Sequence, residues 1–151
     1  NTFTIKVENI ISDLRIGQKI IGIKREQPRS YLSSEPAVLR ANRNKFLAVE
    51  QFNDRADALV MCGHPVDKIE IIILGGTWDH YPKEYRYEFI RDIYYSSNIY
   101  KNGKPRKRRP LESEIKENEL SETRIIGITI ETRPDCITKR SIRMLREFFM
   151  M

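Results

Sequence analysis

The chain has 151 residues, with 27 Lys and Arg against 21 Asp and Glu, a formal net charge of +6, and 40% of its residues are hydrophobic. That length sets one domain as the ceiling, and the apolar content suffices for a packed core and is too high for a disordered chain. No apolar run nears the ~20 residues that cross a bilayer, and Asn1–Lys6 has neither a basic start nor an apolar core, so no membrane span or visible secretion signal is expected. Two cysteines, Cys62 and Cys136, are too few for a disulfide scaffold or a metal knuckle and point to a reducing, intracellular setting. The basic excess favours an anionic partner, nucleic acid first among them.

In chain order, the first β-branched run is Lys19-Ile20-Ile21-Gly22-Ile23-Lys24. After Pro28 and Pro36, helical periodicity predicts a helix from about Ala37 to Met61, stopped by Gly63. A second strand is expected at Ile69–Leu74, ended by Gly75-Gly76, then a helix from about Lys83 to Tyr95 with Tyr85, Phe89 and Ile93 on one stripe. Lys101–Pro110 carries six cations in ten residues, broken by Gly103 and Pro105, and reads as an exposed loop; an acidic helix is expected from about Leu111. The third strand is Arg124–Ile130, ended near Pro134, with a last helix from about Thr138 through Phe149. Continuous apolar runs predict strands buried on both faces, hence a parallel sheet with helices over it, in the order βαβαβα. Right-handed crossovers then gather the strand ends Lys24-Arg25, Gly75-Gly76-Thr77 and Glu131–Asp135 on one edge, where α/β folds bind ligands. Three such units are a piece of a (β/α) barrel or a small open sheet.

On residue chemistry alone, each candidate carries two readings. Gly75-Gly76-Thr77 lets a ligand approach the backbone, or is a βα turn that needs positive φ. Glu131 suits a ribose diol or an ammonium group and Arg133 a carboxylate or phosphate, or the two form an internal ion pair. Trp78 with Asp79, His80 and Tyr81 caps the sheet edge as a lid, or packs a loop. Lys101–Arg109 contacts phosphates by electrostatics, without aromatic residues interleaved for base stacking, or is a solvated insertion.

Several strings occur together in one order: Gln27-Pro28-Arg29-Ser30-Tyr31 with Glu35-Pro36, Arg40-Ala41, Gly63-His64-Pro65-Val66-Asp67-Lys68-Ile69-Glu70, Leu74-Gly75-Gly76-Thr77, and Gly127–Asp135. With them, the chain from about Lys19 to Phe149 resembles part of the radical S-adenosylmethionine (SAM) domain of the Elp3 family, the catalytic subunits of Elongator. The resemblance implies a partial (β/α) barrel of three βα units with parallel strands. It also implies an enzyme that carboxymethylates C5 of the wobble uridine, position 34, of transfer RNA. Its cofactors would be a [4Fe-4S] cluster, SAM and acetyl-CoA, and its partners tRNA and other Elongator subunits; with no targeting signal visible, the cytoplasm is the expected location, the nucleus being the alternative. By the same resemblance, Gly75, Gly76, Thr77, Glu131 and Arg133 would bind SAM, and Lys68 acetyl-CoA. Lys101, Lys104, Arg106, Lys107, Arg108 and Arg109 would be the most visible tRNA contacts. The family's three cluster cysteines belong between Lys24 and Gln27, where only Arg25-Glu26 stand. Either residues are missing at that junction or the loop is deleted, which would leave a non-catalytic tRNA-binding or scaffold module. The chain is expected to be one partial domain, without the family's C-terminal acetyltransferase domain.

Overall fold

The computed structural model describes residues 3–8, 36–74 and 78–148. Their elements are β1 (Phe3–Glu8), α1 (Pro36–Arg43), α2 (Ala48–Met61), β2 (Lys68–Leu74), α3 (Lys83–Ile99), α4 (Leu111–Asn118), β3 (Arg124–Ile130) and α5 (Lys139–Glu147). The strands form one parallel sheet in the order β1-β2-β3. Parallel strands with helical connections are three βα units of a partial barrel, as expected.

The expected first strand, Lys19–Lys24, lies outside the described residues, as do Gly75, Gly76 and Thr77. The place beside β2 belongs to Phe3–Glu8, where no element was expected. Its Phe-Thr-Ile-Lys-Val-Glu sequence alternates with strand period, and Phe3, Ile5 and Val7 stand in register with Ile69, Ile71 and Ile73. Both other strands fall where their β-branched runs put them.

Burial corrects one expectation. Ile69, Ile71 and Ile73 are buried while Glu70, Ile72 and Leu74 are half-exposed, and no residue of β3 is buried. The three isoleucines share one hydrophobic core with Phe52 and Ala56 of α2 and Phe89, Ile90 and Ile93 of α3. Among the described residues the helices cover one face of the sheet, so these strands behave as half-buried ones despite their continuous apolar sequence. A bulge between Ile69 and Glu70 pairs Ile69 with Ile125 but Glu70 with Gly127, and leaves Ile126 exposed.

The expected helix Ala37–Met61 is two helices. Lys45 and Phe46 take φ of 51° and 57°, the Phe46 N–H returns to the Ala41 carbonyl at 2.9 Å, and Phe46 is buried. Burying that ring turns the chain through two left-handed residues, at a local conformational cost. Gly63 ends α2 as expected: at φ 80° its N–H reaches Val60 O while His64 N–H reaches Leu59 O, a Schellman closure. Helix α3 runs past Tyr95 to Ile99 because its last polar side chains have partners. Ser97 donates to Thr123 O at 2.9 Å, and Asn98 donates to Glu114 and accepts from Asn118 at 2.8 Å. Asn118 in turn accepts from the Ile125 N–H at 2.8 Å, so one buried polar network ties α3, α4 and the start of β3 together. Helices α4 and α5 begin as expected, α5 with a capping box between Thr138 and Ser141.

Candidate strand-edge site and nucleic-acid interface

At the carboxyl edge of the sheet the loops after β2 and β3 meet. The Glu131 N–H continues the ladder to Ile73 O at 3.0 Å, so Glu131 leaves the strand at a fixed height, with its side chain exposed. Arg133 forks onto Asp135 through two hydrogen bonds of 2.9 and 2.8 Å, which hold its pKa above the ordinary value. The ion pair at this edge is therefore Arg133 with Asp135, rather than Glu131 with Arg133. Asp79 joins the two loops: it accepts from the Thr132 hydroxyl at 3.3 Å and pairs with Arg86 of α3 at 2.8 Å, both charged side chains being largely buried. Of the two readings of Trp78, loop packing holds. It is buried, edge-on to Tyr81 and Phe89.

Lys68 does not share this edge. It begins β2, in register with Arg124, and is exposed. It is the first residue of the seven-residue strand, so the carboxyl end at Leu74 lies roughly 20 Å away at ~3.3 Å per residue. The structure thus keeps Glu131 and Arg133 together and holds the expected acetyl-CoA lysine at the opposite edge.

The basic loop is clamped. The Arg106 guanidinium spans Glu114 at 2.7 and 2.8 Å and reaches Glu117 at 2.7 Å. Arg109 adds a bond to Glu117 at 2.7 Å, and its backbone N–H donates to Glu114 at 2.9 Å. Burial alone would raise the Glu114 pKa; the bonds from Arg106, the Arg109 backbone and Asn98 overcome it and hold the carboxylate below its ordinary value. Tyr95 of α3 completes the clamp. Its hydroxyl donates to Arg106 O at 2.9 Å, and the guanidinium carbons of Arg106 and Arg108 lie 5.3 and 5.1 Å from its ring centre. Arg108 also pairs with Asp92 at 2.9 Å. Of the six loop cations expected to reach RNA, Arg106 has both terminal nitrogens engaged within the chain, by Glu114 and Glu117. Lys101, Lys104 and Lys107 are exposed and form no ion pair with a described residue. Tyr95 is itself buried beneath the two guanidinium groups, so it braces the loop rather than offering a face to a base.

No family model matches the chain. Elongator complex protein 3 of Schizosaccharomyces pombe is 40% identical over 119 residues, 78% of this chain and 21% of that protein. The tRNA uridine(34) acetyltransferase of Dehalococcoides mccartyi is 38% identical over 121 residues, 80% of this chain and 25% of that protein. The archaeal Methanocaldococcus infernus Elp3, solved with an N-terminal deletion, superposes on 97% of this chain with a TM-score of 0.71 and 25% identity.

The chain is related to one segment of the Elp3 proteins.

It spans about a fifth to a quarter of the length of these relatives. Against Elp3 as the frame, the chemistry that composition left unassigned sits outside the quoted motifs. Asp79 and Arg86 form the buried pair under the strand edge, and Lys83, Arg140 and Arg143 rise beside it. One signal was available: Lys83/Arg86 and Arg140/Arg143 are each three residues apart, one turn of a helix, which puts each pair on one face. Among the described residues no helix is long and apolar enough to cross a membrane, and no cluster of three His, Cys, Asp or Glu side chains could hold a metal.

Proposed function

We propose that this chain serves in the modification of uridine 34 of transfer RNA, as a segment of an Elp3-type protein, alone or within an Elongator-type assembly. The carrying observation is the match over 80% of the chain, at 38% identity, to a protein named tRNA uridine(34) acetyltransferase, beside a similar match to Elongator complex protein 3. The clamped cationic loop supports the same reading, since lysines held on a fixed frame suit a phosphate backbone. Within the proposal, Lys101, Lys104 and Lys107 contact tRNA directly, with Arg108 and Arg109 at the margin and Arg106 holding the loop in shape. Glu131 takes hydroxyls or an ammonium group of SAM, a ligand to which Gly75, Gly76 and Thr77 are also assigned, and Lys68 takes a phosphate or carbonyl of acetyl-CoA.

The finer chemistry, carboxymethylation at C5 by a radical route, calls for a [4Fe-4S] cluster. Three thiolates hold such a cluster in the family, and this sequence has two cysteines: Cys62, exposed at the end of α2, and Cys136, after β3. These residues do not fit the cluster. Two cysteines on separate connections favour the second reading, a module that binds tRNA or a partner without performing the chemistry.

Disruption of the gene in its own organism, followed by mass spectrometry of tRNA nucleosides, tests the role. Loss or decrease of modified uridine 34 is expected; an unchanged nucleoside profile overturns it. Iron analysis of the anaerobically reconstituted chain separates the two readings. About four irons per chain with a brown absorbance band supports catalysis, whereas an iron-free chain that still binds tRNA supports the binding module.

A further inference from the structure

We propose that the cavity between α3 and α5, which borders the strand edge at Asp79, is a phosphate-binding site distinct from Glu131 and Arg133 and from the basic loop. The cavity measures about 620 Å³ and is lined by Lys83, Arg86, Arg140 and Arg143 against Asp79 and Glu147. Two observations make it more than a basic surface. First, Arg86 is 9% exposed, and Asp79 takes only one of its terminal nitrogens. Its Nε has no partner, and its guanidinium makes no other hydrogen bond to a described residue. A buried guanidinium with donors left over is costly unless something accepts from them, and its planar fork matches a phosphate's oxygens. Second, Lys83, Arg140 and Arg143 at the rim form no ion pair with any described residue.

The acids present do not cancel this field. Asp79 is already engaged by Arg86 and Thr132. Glu147 lies at the last turn of α5, four residues beyond Arg143, and leaves Lys83 and Arg140 unopposed. Thr138 and Ser141, which also line the cavity, spend their hydroxyls on the α5 capping box, so recognition falls to the cations. The volume is within the ~300–1,000 Å³ of ordinary small-ligand cavities, so a phosphate has room there for its substituent. The phosphate could belong to a free mononucleotide or to an RNA strand.

Calorimetric titration of the full chain decides, with inorganic phosphate, adenosine 5′-monophosphate, adenosine, and a short RNA carrying 5′-hydroxyl ends. The chain is expected to bind adenosine 5′-monophosphate in preference to adenosine. The exposed-residue variant Lys83→Gln/Arg140→Gln/Arg143→Gln should bind it at least about tenfold more weakly, with unchanged circular dichroism. The control Lys101→Gln/Lys104→Gln/Lys107→Gln removes the same charge elsewhere and should keep wild-type mononucleotide affinity. Weakening by the cavity variant of RNA binding alone, beyond that caused by the loop control, identifies a strand phosphodiester as the ligand. If the cavity variant binds every probe as the wild type or the loop control does, the proposal fails. Phosphate affinity is the readout, so the outcome is independent of uridine 34.

Discussion

At the residue scale, Arg106 and Glu114 carry the clearest energetics. Glu114 has a fully buried side chain beneath a bidentate guanidinium, and removing one partner strands the other charge. Arg106→Met is expected to destabilise the fold by on the order of 3 kcal/mol, read as a lower urea midpoint. The pH dependence follows from the direction of the Glu114 shift. Its folded-state pKa is depressed, so the unfolded chain binds the extra proton. The stabilisation is complete above the unfolded carboxyl value, about 4.3, and is lost as pH falls through the lower folded value. Glu114→Gln should flatten that acid limb of a stability-against-pH curve. At the strand edge, Glu131→Gln should weaken SAM binding by about tenfold with folding intact; undiminished affinity would remove Glu131 from that site. Individual roles were only partly legible in the sequence. Glu131 and Arg133 were visible as a charged pair at a strand end, but Arg133 turned to Asp135, two residues away, a choice that spacing alone does not make. Arg106 looked like its neighbours in a basic string. Only the fold, which brings Glu114, Glu117 and Tyr95 to it, sets it apart.

At the element scale, β2, β3 and the starts of α4 and α5 were legible within a residue or so, because β-branched runs and capping residues are local signals. What was not legible came from tertiary demand. The helix expected from Ala37 to Met61 breaks at Lys45 and Phe46, where no Gly or Pro marks a stop, because the Phe46 side chain is buried. Lys45 holds a positive φ without being glycine, so Lys45→Gly should stabilise the chain by up to about 1 kcal/mol, measured by thermal unfolding. The opposite holds at Gly103, where a Cβ would overlap the backbone of Ile99. Gly103→Ala must displace the start of the basic loop, and the hydrogen bond between Asn102 and Glu122 should be lost with it. Strand β1 was missed because six alternating residues near a terminus are a weak signal until a partner such as β2 supplies the register.

At the scale of the whole molecule, the +6 charge was correctly legible as a basic excess but not as a distribution. Much of the cationic loop's charge is neutralised by Glu114, Glu117 and Asp92, while the cations between α3 and α5 stand largely unopposed. Replacing Lys101, Lys104 and Lys107 with Ala should therefore lower tRNA affinity and reduce the slope of log K against log salt by about 2–3. Arg106→Met, in contrast, should leave the slope nearly unchanged. The clamp has a further thermodynamic consequence. Loops that meet a polyanion usually fold around it, and the freedom they surrender subtracts from the affinity. Here the backbone from Arg106 to Arg109 is already fastened to Tyr95 and Glu114 before any encounter. Its docking should proceed as contact between rigid bodies, with a small heat-capacity change and little entropy left to give up.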